Sequence, residues 1–130
     1  MESFYNKEDK QLIFKIEEDI DECAVQKIRR KIDNEIERYM PKEVIFDFNN
    51  ISFMDSAGIG LIIGRYKLAN MLGGKVKVAN MTTPVRKIFE MSGILRLIPE
   101  VGDKIEPALN VPNGQNGTNT KCTFKEVQYE

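Results

Sequence analysis

Ser56 stands in the segment MDSAGIGLIIGRYK, residues 54–67, directly after Asp55 and ahead of Gly58, Gly60 and Gly64. A serine so placed can act as a nucleophile, cap a helix, or accept a phosphoryl group. Nucleophilic work needs a neighbouring base, and the 130-residue chain contains no histidine. Ser-His-Asp and Cys-His arrangements are therefore impossible, as are histidine-based zinc or iron sites. Lysine is the common remaining base. The nearest candidate, Lys67, falls about three helical turns beyond Ser56 if the segment is helical. MDSAG also lacks the first glycine of the G-x-S-x-G elbow. GIGLIIG is spaced one residue off the dinucleotide fingerprint, and no Gly-Lys-Ser/Thr follows it. Cys23 and Cys122 have no ligand-type spacing and read as two reduced thiols. The residues point to a protein that is not an enzyme and takes no cofactor and no metal.

The elements that position Ser56 are legible from periodicity. Ile59, Ile62, Ile63 and Tyr66 share one helical stripe, which predicts a helix across the quoted segment. Gly58, Gly60 and Gly64 oppose it, since each glycine inside a helix costs roughly 1 kcal/mol relative to alanine. Upstream, Gln11 to Ile16 reads as a strand with Ser3 to Tyr5 as a short partner, and Asp21 is placed to cap a helix of about four turns carrying Val25, Ile28, Ile32, Ile36 and Tyr39, ended by Pro41. Glu43 to Phe48 is a short apolar run of the kind that forms a central strand. Gly73 and Gly74 close the Ser56 helix, and Lys75 to Ala79 alternates as another strand. Thr83 with Pro84 predicts a further helix start, with Val85, Ile88 and Phe89 on one face and Ser92-Gly93 as the stop. LRLIPEV and a helical turn around Lys104 to Leu109 complete the series. Strands alternating with helices predict an α/β domain with at least one parallel crossover. The domain is expected over residues 1–109, followed at 110–130 by a polar, Asn- and Gly-rich linker and tail.

Two sides of the Ser56 helix differ. The isoleucine stripe faces the core, whereas Ala57, Gly60 and Gly64 form a strip of minimal side chains bordered by Leu61 and Leu68, both expected to be exposed or partly covered. Such bare backbone suits close approach by a partner or by another helix of the same domain. Ser56 is either a structural N-cap or first-turn residue that accepts an amide hydrogen bond, or a phosphorylation switch. A phosphate at a helix N-terminus adds roughly 1.5 to 2 negative charges where the dipole and free amides accept an anion. It would leave the helix intact and change the surface. Asp55 either caps the same helix or positions the serine hydroxyl.

Charge and length bound the rest. Nineteen basic and twenty acidic residues give a formal net charge of -1, so neither nucleic acid nor an anionic membrane is an expected partner. No apolar run reaches the roughly 18 residues of a membrane span, and MESFYNKEDK carries no signal region. A cytoplasmic location is expected. Asn116-Gly117-Thr118 matches a glycosylation sequon that this location would leave silent.

With these residues in hand, ISFMDSAGIGLIIGRYK (51–67) resembles the signature of the anti-sigma factor antagonists of the STAS domain family, and most closely that of its sporulation-type members. The likeness runs from about Gln11 to Ile98. IEEDID falls where the family has its G-E-L-D turn, and KIFEMSGI resembles its late helix and MSG ending. The resemblance implies a STAS-type single domain with a mixed four- to five-stranded sheet and about four helices. It also implies a partner-switching role. The unmodified antagonist binds an anti-sigma factor that is also a serine kinase, with ATP on that partner, and so releases a sigma factor. The kinase phosphorylates the serine matching Ser56 and the complex separates, and a PP2C-type phosphatase restores the antagonist. The family's acidic contact matches Asp21, and the glycine-rich helix start matches Ala57, Gly58 and Gly60. With Asp55, Ser56, Leu61 and Gly64, these residues make the expected partner surface on a monomer or weak dimer.

Two departures stand out. Glu18 replaces the glycine of the acidic turn, and Ala57 removes a second hydroxyl from the motif, leaving Ser56 its only phosphate acceptor. The alternative of a different class is a non-catalytic STAS scaffold in a signalling assembly, which would form large particles.

Overall fold

The computed structural model describes residues 1–101. The predicted turn at Lys104 to Leu109, the domain boundary at 109, the 110–130 tail and Cys122 lie outside the described residues. Cys23 is a free, exposed thiol.

The first two strands make a hairpin. β1 (Glu2–Asn6) runs antiparallel to β2 (Gln11–Lys15), with Phe4 opposite Ile13. The connecting turn is closed by Asn6 Oδ1, which accepts from the amides of Glu8 and Asp9. β2 then pairs in parallel with β3 (Glu43–Asp47), and β3 in parallel with β4 (Lys75–Ala79), giving a mixed four-stranded sheet in the order β1-β2-β3-β4. Each parallel step requires a crossover, supplied by α1 (Glu22–Tyr39) and α2 (Ser56–Met71). Two crossovers of the usual right hand, stepping in one direction, place both helices on one face of the sheet. The sheet, α1 and α2 share one apolar core there with α3 (Thr83–Ser92).

Pleating divides each strand between two faces. Leu12, Phe14 and Ile16, Val44, Phe46 and Phe48, and Val76 and Val78 form the helix-side core with Ile28, Ile32, Ile36, Ile59 and Ile62. Phe14 and Phe46, opposite one another in register, stack at 5.5 Å, and Phe48 meets Phe89 of α3 at 5.7 Å. Ile13, Ile45 and Ala79 make a smaller cluster on the other face with Phe4 and Val101. A short 3₁₀ turn at Ile94–Arg96 returns the chain to β4, where Val78 bridges Glu100. The three α-helices among the described residues come near the expected four.

Three local readings are corrected. α1 spans 18 residues, about five turns instead of four, because Met40 adopts a left-handed conformation (φ 47°) and donates its amide to Ile36 before Pro41 stops the helix. The residue preceding α3 is Thr82 and not Thr83, with Pro84 in the first turn. Its hydroxyl makes no cap but donates to the Ile51 carbonyl at 2.7 Å, tying α3 to the loop before α2. In α2, Leu61 is 3% exposed and belongs to the core, whereas Ile63 and Tyr66 are only partly buried. The helix lies against both α1 and β4, so it buries a wider arc than a single-faced stripe allows.

A charged pair sits between the two crossover helices. Arg65 Nε lies 2.6 Å from Asp33 Oδ1, with the arginine side chain 11% exposed. The groups are at contact distance but misaligned for a hydrogen bond. Burial lowers the Arg65 pKa, and Arg29 adds to this, while Asp33 acts in the opposite sense. No helix among the described residues is long and apolar enough to cross a membrane.

Candidate functional site

The residues singled out in the sequence lie beyond the C-terminal ends of the parallel strands. After β2 the chain passes through Glu17, Glu18 and Asp19 to Ile20, and after β3 it passes through Ile51 to Met54. These two loops pair as a one-residue parallel bridge between Ile20 and Met54. The Ile20 amide donates to Phe53 O at 3.3 Å, and the Asp55 amide donates to Ile20 O at 3.4 Å. Asp21 and Asp55, each one residue past the bridge, therefore begin α1 and α2 side by side.

Both aspartates cap. Asp21 Oδ1 accepts from the Ala24 amide at 2.8 Å. Asp55 Oδ1 accepts from Ala57 at 2.9 Å and Gly58 at 3.4 Å. Asp55 is thus the cap left open in the sequence, and its carboxylate is committed to the backbone. That leaves Ser56 as the first residue of the helix, exposed, with no side-chain hydrogen bond among the described residues. Of the two structural places expected for Ser56, the N-cap belongs to Asp55 and the first turn to Ser56. The continuous helix also removes the lysine-base possibility, since Lys67 is eleven residues further on, about 16 Å along the axis.

The small-residue strip divides. Gly60 is exposed and Gly64 partly buried, and a Cβ built at either meets nothing within 4 Å among the described residues. Ser56 and Gly60 are i, i+4 neighbours, so hydroxyl and bare backbone share one open face, bordered by partly buried Ala57. Gly58 is different. It is buried, and a Cβ there would overlap Met54 Cγ and come within 3.1 Å of Ile20 Cγ2. Gly58 and Leu61 were expected on the partner surface, but both are buried and serve internal packing. The missing Cβ at Gly58 lets the start of α2 close over the Ile20–Met54 bridge.

Asp19 was missed in the sequence. Its Oδ1 accepts from the amides of Ser52 (3.0 Å) and Phe53 (3.1 Å) and lies 3.3 Å from the Ser52 hydroxyl. One carboxylate thereby locks the two loops together. Nothing local separates Asp19 from its acidic neighbours, because its partners are more than thirty residues away.

A family model described as the STAS domain matches residues 5–110. The chain belongs to the STAS domain family. Among curated proteins, this STAS domain is similar to an anti-sigma F factor antagonist of Paenibacillus polymyxa, at 34% identity over 88 residues, covering 68% of this chain and 75% of that one. Among solved structures, it resembles the anti-sigma factor antagonist SpoIIAA in its unphosphorylated form, with a TM-score of 0.63 and 29% identity over 73% of this chain and 83% of the other. The Bacillus cell fate determinant SpoIIAA in the phosphorylated form matches with a TM-score of 0.57 and 28% identity, over 73% of this chain and 86% of the other. The mixed sheet with helices on one face is thus the STAS fold, as the resemblance implied.

Proposed function

We propose that this STAS domain is an anti-sigma factor antagonist whose binding is switched by phosphorylation of Ser56. Unphosphorylated, it binds an anti-sigma factor that is also a serine kinase, and a sigma factor is released. Phosphorylation of Ser56 by that kinase ends the complex, and a PP2C-type phosphatase reverses the modification in the same cytoplasm. The contact face comprises Asp21, Asp55, Ser56, Ala57, Gly60 and Gly64. ATP and Mg²⁺ belong to the kinase, and the antagonist works as a monomer or weak dimer.

The observation that carries this reading is the state of Ser56. Its hydroxyl is exposed, makes no hydrogen bond among the described residues and is relieved of capping by Asp55, at a helix N-terminus that tolerates an added anion. The similarity to relatives named as anti-sigma F factor antagonists, and to a protein solved in both phosphorylation states, supports it. A phosphate placed beside Asp55 and Asp21 makes a strongly anionic edge on a face otherwise suited to close contact. Like charge and desolvation would then expel a partner, with no need for the fold to change.

Incubation with Mg-ATP and the anti-sigma kinase encoded in the same genome, followed by peptide mass spectrometry, tests the reading. Phosphate is expected on Ser56 and absent from Ser56→Ala. An active kinase that leaves Ser56 unmodified would overturn the switch and favour the scaffold.

A further inference from the structure

Phe53 lies three residues before Ser56, in the loop between β3 and α2, and is 50% exposed. A single exposed apolar side chain is ordinary on any protein surface. Phe53 differs in how it is held. Its amide donates to Asp19 Oδ1 at 3.1 Å, and its carbonyl accepts from Ile20 at 3.3 Å, so both of its backbone polar groups are fixed by the neighbouring loop. The preceding Ser52 amide goes to the same carboxylate, and the following Met54 is buried in the core. An aromatic side chain is thereby presented from a loop tied down on both sides. Ordering the loop on association then costs little, and an aromatic ring has few rotamers to lose.

Its position supplies the occupant. Phe53 stands on the loop that leads into the Asp55 cap and is paired through the Ile20–Met54 bridge to the loop that leads into the Asp21 cap, three residues before Ser56. The polar groups there carry charge and specificity but offer little apolar area. An anchor of that kind is what the face otherwise lacks.

We propose that Phe53 is an apolar anchor of the partner surface, seated in a hydrophobic pocket of the anti-sigma kinase. This rests on the functional reading above and extends it to a residue outside the small-residue strip. Asp19 is then a positioning residue, acting through the loop that carries the ring.

Binding of the purified anti-sigma kinase of the same genome, in Mg-ADP, is measured by calorimetry for the full chain and three variants. Phe53→Ala is expected to weaken binding at least about tenfold, as loss of an aromatic anchor does. Its melting temperature should stay within a few degrees of wild type. Phe53→Leu, which keeps much of the buried contact and guards against a folding defect, should lie between. Met91→Ala, removing a side chain that is 83% exposed on α3, should bind as wild type. If wild type binds and Phe53→Ala binds equally well, the anchor is refuted while the function stands. Equal weakening in Met91→Ala also refutes it. If wild type itself fails to bind an active kinase, the functional reading falls and the anchor with it.

Discussion

Alanine at Gly58 and alanine at Gly60 should move stability in opposite directions, although the two positions are two residues apart in one helix. Replacing a helical glycine by alanine gains up to about 1 kcal/mol by restricting the unfolded chain and favouring the helix. At Gly60 nothing within 4 Å opposes the new methyl, so that gain should appear whole. At Gly58 the methyl overlaps Met54 Cγ and stands 3.1 Å from both Met54 Sδ and Ile20 Cγ2, tighter than the roughly 3.5–4.0 Å of ordinary carbon contacts. Met54 is 2% exposed and Ile20 fully buried, and the two residues bridge each other, so neither can swing into solvent. Overpacking of this kind costs about 1–3 kcal/mol, which offsets the helix gain and leaves a net loss of up to about 2 kcal/mol. For a domain of this size each kcal/mol is roughly 4 °C in melting temperature. Calorimetry on the two variants reads the difference directly. A Gly58→Ala protein more stable than wild type would show that the close approach of α2 to the bridge is no constraint. A Gly60→Ala protein with a lowered melting temperature would show that the chain itself fills the strip.

Ser56→Asp and Ser56→Glu should melt within a few degrees of wild type yet bind the anti-sigma kinase at least about tenfold more weakly, whereas Ser56→Ala should bind and stay bound in Mg-ATP; titration of each into the kinase decides, and undiminished binding by the acidic variants would rule out charge repulsion. Gly60→Leu and Gly64→Leu should weaken that binding without lowering the melting temperature, because a Cβ at either position meets nothing within 4 Å among the described residues and leucine favours the helix over glycine. Asp33→Ala should cost about 2–3 kcal/mol in urea unfolding, less than the 3–5 kcal/mol of a fully buried pair because Asp33 keeps 28% of its side-chain exposure, and pairing it with Arg65→Met should recover most of the loss. Acid should also destabilise the fold. Burial alone would raise the Glu43 pKa, but hydrogen bonds from Lys77 and Gln11 and the charges of Lys77 and Lys75 bring it below the ordinary value, and Arg86 lowers that of Glu100. Both are depressed in the folded state, so their stabilisation is complete above the unfolded carboxylate value of about 4.3 and is lost as pH falls through the folded values. Urea midpoints should decline below roughly pH 5, and less steeply in a Glu43→Gln, Glu100→Gln double variant.

Elements whose cause is local were readable in the chain. The β4 limits, Asp21 as the α1 cap, Pro41 as its stop and the apolar run of β3 all depend on residues within one turn or one pleat of each other. The segment carrying Ser56 was legible for the same reason, and its motif carried the family. Residues with distant partners were not. Whether Asp55 or Ser56 caps α2 depends on the backbone angle imposed where Met54 bridges Ile20, thirty-four positions away in the chain. Gly58 and Gly60 are the same residue in the same helix, and only the Ile20–Met54 bridge beneath the first makes one a packing requirement and the other open surface. Leu61 appeared to border an open strip because one-helix periodicity assumes one buried side, whereas α2 is covered by both α1 and β4. Asp19 and Phe53 carried no signal at all, since a carboxylate that locks two loops acquires that role only when the crossovers bring the loops together. Local pattern and motif were enough for the helix, its serine and the family. Packing between distant elements set which side of that helix faces outward and left the Ser56 hydroxyl without a hydrogen bond among the described residues, because burial is set by what packs across a surface and not by neighbours along the chain.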